Sequence, residues 1–404
     1  MANFLYANTH SIFDYTNGIS KSLKLILENL VKLGNSVYVI TGCTSFSEEG
    51  FQESIKAWDQ ANKQQFMYQK SGSIRFNQNG VNYSLIRTKF GPSLKLQIWE
   101  QEYIYREVIR ILDTKEIQVC IGWGSHLLEE SIFKEAEHRK INTCYYLTNP
   151  NMKGKDNYLL KNANHIWTDS QATKKLYEDD LKSNFMVIPK FIEEPKEKME
   201  EIKSSSLIKK CLFVNPTLYK GFEAFIEISN YFTKTKNDIR FICVDSRSQL
   251  KKSLTDLKIT LNQLPSNIDI KAATKHTDKL FRGISILLLP SLWHESGSRL
   301  IYEAYSRGIP VIAFNTGGTS EMMNHFKEDI FSPPNIKLEN GLIRVINWSP
   351  DSLCKRIQYL LKDKDLYDQY SKKIKKNYDD LNLTNKCDQA LKEITNLLIK
   401  NNQE

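Results

Sequence analysis

Glu295 and Glu303 stand eight positions apart in a stretch whose residue types could do chemistry. Residues 286–321 run from an apolar Ile286-Leu287-Leu288-Leu289 through a polar loop, Pro290 to Ser298, into a helical pattern over 298–307. A Gly308-Ile309-Pro310 turn, a second apolar run over 310–314 and a Gly317-Gly318 loop follow. Strand, loop, helix, strand and loop in this order place both loops at the carboxyl ends of parallel strands, where open α/β sheets bind ligands. Glu295 falls before the helix and Glu303 more than a turn inside it. Two carboxylates can then meet one ligand at different depths, one accepting from sugar hydroxyls and the other from a ribose diol. Backbone N–H groups around Ser298 suit a diphosphate.

A second candidate is Leu212-Phe213-Val214-Asn215-Pro216-Thr217-Leu218-Tyr219-Lys220-Gly221, which reads as strand, loop and helix start. Lys220 there could carry positive charge to a phosphate, while Asn215 offers an amide without charge. Thr16-Asn17-Gly18-Ile19 lies between the first strand and the first helix. Asn17 and Gly18 fit an N-cap equally well as an approach to phosphate. Cys120-Ile121-Gly122-Trp123-Gly124-Ser125-His126-Leu127 contains Gly-x-Gly, but Leu127 replaces the third glycine of a dinucleotide fingerprint and the loop is not the first βα turn. A dehydrogenase is excluded on that ground. His126 remains a candidate for chemistry or for capping; His10 is a weaker one, and His294 shapes the Glu295 loop.

The elements that must position these groups alternate. Apolar runs at 4–6, 37–40, 81–86, 117–121, 143–147, 165–168 and 185–188 are separated by helical patterns at 19–33, 95–112, 126–139 and 170–182. Such alternation implies parallel βαβ units. Residues 44–80, rich in Gln, Ser, Asn and Gly, break the rhythm and read as a mobile insertion. The charged, apolar-poor stretch 191–206 reads as a linker. Beyond it the alternation restarts at 211–214, 221–233, 239–244, 286–289, 298–307 and 310–314, and 351–402 is mostly helical. The expected organisation is an N-terminal Rossmann-like domain over 1–190 and a second over 207–375. A terminal helix over 376–404 would pack back on the first domain. The Trp99, Tyr103 and Tyr105 helix is amphipathic and could touch a lipid-linked or aromatic acceptor.

The 404 residues are 41% hydrophobic, with 19 Phe, 19 Tyr and 6 Trp, enough for two buried cores. The net charge of +9 is spread along the chain instead of gathered in a stripe, which argues against nucleic acid as partner. It is compatible with phosphate-bearing substrates and with peripheral contact at an anionic membrane. No run approaches the roughly 20 apolar residues of a membrane span, and the start lacks the features of a signal peptide, so a cytoplasmic location is expected. The seven cysteines show no zinc spacing and read as reduced core residues.

The 286–321 segment resembles the E-x7-E donor signature of the retaining glycosyltransferases of family 4 (glycosyl transferases group 1), including Pro-Ser before it and Glu-Ala…Gly-Ile-Pro-Val…Gly-Gly-x-x-Glu after it. The resemblance implies a GT-B fold, α/β with two Rossmann-like domains facing each other across a cleft. It implies transfer of a sugar, with retention, from a UDP- or GDP-linked donor to a sugar, lipid-linked or small-molecule acceptor, without a metal or other cofactor. Glu295 would contact the sugar, Glu303 the ribose, and Ser296, Gly297, Ser298, Arg299 and Leu300 would line the donor. Lys220 would meet the diphosphate, with Asn215 standing where the family commonly has Arg. Gly18 and Asn17 would approach the donor, and His126 would take a catalytic place. Gly297 and Ser298 depart from the family's usual aromatic and glycine, so the sugar is not implied. Other readings of the same features are a nucleotide-sugar-binding scaffold and a GT-B phosphorylase or epimerase.

Overall fold

The computed structural model describes residues 1–63, 72–89, 91, 96–148, 157–196 and 207–400. The chain divides into two units, Met1–Phe191 with Thr384–Glu404, and Ile192–Leu383.

The first unit begins with β1 (Asn3–His10), α1 (Gly18–Lys32), β2 (Ser36–Thr44), α2 (Glu48–Lys63), β3 (Ser73–Gln78), β4 (Val81–Ile86) and α3 (Ile98–Thr114). It continues with β5 (Val119–Gly122), α4 (Leu127–His138), β6 (Asn142–Leu147), α5 (Tyr158–Asn162), β7 (His165–Thr168), α6 (Gln171–Tyr177) and β8 (Asn184–Val187). The eight strands lie in the order β3-β4-β2-β1-β5-β6-β7-β8. All pair in parallel except β3, which runs antiparallel to β4. Parallel strands covered on both faces are buried along their length, and β5 and β7 are buried at every position. On α1 the buried Leu23, Ile26, Leu27 and Leu30 recur at helical spacing.

The mobile insertion expected over 44–80 is not what the described part of that region forms. It holds α2 and β3, with 64–71 outside the described residues. Only β3's Ile74 is fully buried, because it is an edge strand, so its sequence lacks a strand's apolar signal. It is held by pairing: Phe76 stacks on Tyr83, and Arg75 makes a double hydrogen bond to Glu107 of α3. On α3 the faces sort as expected of an amphipathic helix, with Ile104, Val108 and Ile111 buried and Ile98, Trp99 and Tyr103 exposed.

The second unit contains β9 (Lys210–Val214), a 3-10 turn (Leu218–Lys220), α7 (Phe222–Lys234), β10 (Arg240–Asp245), α8 (Leu250–Asp256), β11 (Ile268–Ala272), α9 (Thr277–Phe281) and β12 (Ile286–Leu289). After these come α10 (Arg299–Tyr305), β13 (Val311–Phe314), α11 (Thr319–Met322), β14 (Ile330–Phe331), the hairpin β15 (Asn335–Glu339) and β16 (Leu342–Ile346), α12 (Asp351–Leu360) and α13 (Lys364–Leu381). Its parallel sheet has the order β11-β10-β9-β12-β13-β14. Phe213, Phe222, Phe225 and Phe241 pack as a ring cluster between β9, α7 and β10. The linker read over 191–206 lies largely outside the described residues, which stop at 196 and resume at 207.

From Thr384 onward α14 (Leu383–Lys400) belongs to the first unit. Leu391, Ile394 and Leu398 are buried, Asn142 Nδ2 donates to the Leu398 carbonyl at 3.0 Å, and Cys387 Sγ donates to the Pro189 carbonyl at 3.4 Å.

Candidate active site

Strand order locates the candidate ligand edge of each unit. In the second sheet β9 has β10 on one side and β12 on the other, so the loops after β9 and β12 diverge at the switch in strand order. Those loops carry Asn215 to Lys220 and Pro290 to Ser298.

The two loops are locked together by backbone. Leu292 N–H donates to the Tyr219 carbonyl at 2.9 Å. Gly221, at φ 82°, passes so close to Pro290 that a Cβ would stand 1.7 Å from the Pro290 carbonyl oxygen. Only glycine combines that left-handed backbone with that approach.

On this base Lys220 Nζ reaches Glu295 Oε1 at 2.5 Å. The ammonium also lies 4.8 Å from the Trp293 ring centroid. Trp293 Nε1 donates to Glu295 Oε1 at 3.1 Å, and Ser291 Oγ donates to the same oxygen. All three donors fall on Oε1, while Oε2 takes no hydrogen bond among the described residues. Burial pushes the Glu295 carboxyl up, yet the charge and hydrogen bond of Lys220, with Ser291 and Trp293, outweigh it and hold the group below its ordinary value. The result is a buried, ionised carboxylate with one oxygen spare. Burial lowers the neighbouring His294 imidazole, against the opposing charge of Glu295.

The loop after β13 fixes the backbone of Glu295. Gly318 N–H donates to its carbonyl at 2.7 Å, and a Cβ on Gly317 (φ 54°) would lie 2.2 Å from the same oxygen. The Gly-Gly pair thus has a mechanical task that spacing did not disclose.

Glu303, buried on α10, accepts from Arg299 Nη2 at 2.9 Å and from Nε at 3.3 Å on its Oε1. Arg299 is itself buried. Helix α10 spans seven residues, shorter than the 298–307 pattern. Ser298 caps it by position but its side chain makes no capping bond. Ser296 and Gly297 are buried, and Leu300 is half-buried. Asn215 adopts φ 65° and accepts from Ser246 Oγ, which turns its amide oxygen toward β10.

In the first unit the corresponding switch lies between β1 and β5. Asn8, His10, Asn17, Trp123 and His126 gather there. Asn17 caps α1, its Oδ1 accepting from Ile19 N–H at 3.1 Å. Gly18 opens that helix, and a Cβ there would meet no atom within 4 Å, so the fold does not demand glycine at this position. His126, half-buried, takes the N-cap place of α4 without a side-chain capping bond.

Two carboxyls that sequence reading passed over belong to this edge. Asp14 is buried 3.0 Å from His10 Nε2. Asn17 Nδ2 lies 3.1 Å from the same nitrogen. Burial raises the Asp14 carboxyl, but His10, Ser45 and Thr16 overcome that and hold it at about 2. His10 is therefore a buried structural partner of Asp14. Glu129 ties α4 to β1, its Oε1 accepting from Thr9 N–H at 2.9 Å and Thr9 Oγ1 at 2.8 Å. Its Oε2 is buried without a hydrogen-bond partner among the described residues, and burial raises this carboxyl despite the Thr9 bonds and the charge of His126. Asp14 follows β1 and is held by His10, Thr16 and Ser45, whereas the pairing of β1 with β5 brings Glu129 to Thr9.

Among the described residues no group of three or more His, Cys, Asp or Glu is placed to hold a metal ion.

Residues 196–377 match the model of the family described as Glycosyl transferases group 1. The match falls within the second unit, whose sheet and loop geometry is described above, and marks it as similar to that family. Solved structures extend the likeness to the whole chain. A sucrose-phosphate synthase from Thermosynechococcus elongatus aligns with a TM-score of 0.67 at 11% identity, covering 99% of this chain and 100% of that one. Anabaena HepE in complex with UDP-glucose aligns at 0.65 and 13%, covering 98% and 100%. A glycosyltransferase from Rickettsia africae aligns at 0.62 and 14%, covering 99% of both. At these identities the likeness establishes the GT-B fold. No curated protein matches the sequence.

Proposed function

We propose that the protein transfers a sugar from a nucleotide-diphosphate sugar to an acceptor hydroxyl, with retention at the anomeric carbon and without a metal ion. The observation that carries this reading is the Lys220–Glu295 pair at the switch between β9 and β12. It joins a desolvated carboxylate with an unused Oε2 to an ammonium on the adjoining loop. The carboxylate can accept sugar hydroxyls, and the ammonium can meet charge on a departing diphosphate in a low-dielectric setting. Glu303 is the candidate for the ribose diol. The loop from Ser296 to Leu300 lines the donor, and Asn215, on the loop after β9, is assigned to it as well. Structures of similar fold include one holding UDP-glucose, which supports a UDP-linked sugar as the first donor to test.

For the first unit we assign Asn17 and Gly18 to an approach by phosphate or acceptor, and His126 to the reacting hydroxyl. The open space at Gly18 and the absence of a side-chain capping bond from His126 support this. Among the described residues no helix is long and apolar enough to cross a membrane. A cytoplasmic reaction, at the membrane's inner face when the acceptor is lipid-linked, fits the spread positive charge. The products would belong to glycoconjugate, polysaccharide or small glycoside synthesis.

The test is nucleotide release from UDP- and GDP-sugars across an acceptor panel, in chelator, with product configuration read by NMR. Turnover that survives chelation, yields the donor's anomer and disappears in Glu295→Ala supports the reading. Binding of a nucleotide sugar without turnover on any acceptor would instead mark a nucleotide-sugar-binding scaffold. An inverted product or a metal requirement would overturn those parts of the proposal.

A further inference from the structure

In the first unit, α3 and the β3–β4 edge gather cations that the proposed transfer does not use. Glu107 of α3 accepts from both Arg75 and Arg110, each giving Nε to one carboxylate oxygen and Nη2 to the other at 2.8 to 2.9 Å. Ser84 Oγ adds a further bond at 2.7 Å. Burial raises the Glu107 carboxyl, but Arg110, Arg75 and Ser84 overcome it and hold the group at about 2. One carboxylate balances one guanidinium. The second arginine therefore stands as surplus charge beside a carboxylate whose acceptor sites are filled.

A cavity of about 370 Å³ opens against this cluster, within the size range of small-molecule sites. Arg75, Arg110, Lys115, Tyr38, Asn82 and Ser84 are among its lining, and no carboxylate is, among the described residues. Lys115 Nζ lies 5.9 Å from the Tyr38 ring centroid. Register explains the gathering. Tyr38 pairs with Asn82, and Arg75 pairs with Ser84, so alternate residues of three strands share one face. The Ser84 bond to Glu107 identifies it as the face that α3 covers. Along β2, Tyr38 lies roughly 20 Å from Thr44, the residue that pairs with His10 at the carboxyl edge. The cavity is thus at the opposite edge of this sheet from Asn17, Gly18 and His126.

We infer that this cavity binds the phosphoryl group of a small molecule, at a site separate from the loops assigned to sugar transfer. Three cations against one saturated carboxylate leave two positive charges, which match a phosphoryl dianion; a neutral ligand would leave them unanswered. Both arginines stay partly exposed although bonded to Glu107, and Arg110 Nη1 makes no hydrogen bond among the described residues. Guanidinium forks and an ammonium give such an anion charge-assisted bonds. Glu107 has the task of fixing both guanidiniums in advance, which lowers the ordering cost of binding. The occupant is bound and released unchanged, since the groups assigned to transfer lie at the other edge. The inference holds whether or not the donor reading does.

The test is calorimetry at low salt with inorganic phosphate, glycerol 3-phosphate and glycerol, on the full chain and on K115Q, R110Q and K220M. Wild type should bind both phosphates and not glycerol. K115Q and R110Q should each weaken both phosphates on the order of tenfold, the size of one charge-assisted hydrogen bond. K220M, altered in the other unit, should retain the binding. K115Q leaves every hydrogen bond to Glu107 in place, so it decides where R110Q does not fold. Phosphate binding lost in K220M and kept in K115Q and R110Q would put the anion at the Lys220 loop and overturn the inference. No binding of either phosphate by wild type would overturn it, as would equal binding by wild type, K115Q and R110Q. Adsorption to phosphatidylglycerol vesicles that K115Q and R110Q reduce, with neither phosphate bound, would assign the cations to a lipid surface and overturn it as well.

Discussion

Lys220 Nζ sits 2.5 Å from Glu295 Oε1, joining the loop after β9 to the loop after β12 across the switch in strand order. The pair fixes a charge state as well as a position. Burial alone would raise the Glu295 carboxyl, and Lys220 is foremost among the groups that hold it down.

Lys220→Met should therefore do two things to turnover. The rate at neutral pH should fall by about a hundredfold to a thousandfold, the usual range for loss of one charge-stabilising donor. The acid limb of the pH–rate profile should also move to higher pH, because burial would then act on Glu295 with less opposition. A K220M profile with its acid limb unmoved would break the link between the two residues.

Gly221→Ala and Gly317→Ala should both lose activity while differing from wild type by only a methyl group. At Gly221 the methyl would strike the Pro290 carbonyl, and at Gly317 the Glu295 backbone, each at a positive φ. Strain of about 1–3 kcal/mol per site is expected. Melting temperature would fall by roughly 2–4 °C per kcal/mol. Gly18→Ala provides the contrast, since its methyl meets nothing and its stability should be unchanged within about 0.5 kcal/mol or slightly raised. Calorimetry and steady-state rates on the three variants separate the cases.

Much of this site could be read from residue order, and the limits have physical reasons. Strand β4 spans the 81–86 run, and the loops holding Glu295 and Lys220 follow strands where apolar runs placed them. Helix α2 could not be read so because its buried face, Gly50, Ser54, Trp58, Ala61 and Asn62, is mostly small or polar, and strand β3 because an edge strand buries little. The hairpin β15–β16 was missed for the same cause, with every residue of β15 exposed. Asp14 escaped notice because its weight comes from burial against His10, Thr16 and Ser45, and Glu129 because its partner lies far along the chain. Thr9 and Glu129, for example, meet only through the pairing of β1 with β5.

Asp14 predicts a stability effect in acid. Its folded value, about 2, lies below the ordinary 3.8, so the ionised form is favoured by folding. That contribution is complete above roughly pH 5 and is lost as pH falls through 2, and is on the order of 2 kcal/mol. Asp14→Asn should thus be less stable than wild type at pH 7, with the difference shrinking by pH 2–3. Denaturant midpoints at the two pH values check this.

Glu129 predicts the opposite sign. Burial raises its carboxyl, so folding favours the protonated form and the contribution declines as pH rises through that raised value. Glu129→Gln keeps an oxygen for the Thr9 donors and removes the charge. Its melting temperature relative to wild type should be higher at pH 8 than at pH 5. A constant difference across that range would show that Glu129 carries no such load.

The placement of α14 in the first unit has a consequence for synthesis. The unit that starts the chain needs Leu391, Ile394 and Leu398 to complete its core, and the ribosome makes these after the whole second unit. Nascent chains commonly fold domain by domain from the N-terminus. Here the order is reversed at the last step: residues 192–383 are contiguous and can close first, while the earlier-made unit waits with an apolar surface open. Chains stalled before Thr384 would leave that surface exposed, so the first unit's core stays unfinished until α14 is made.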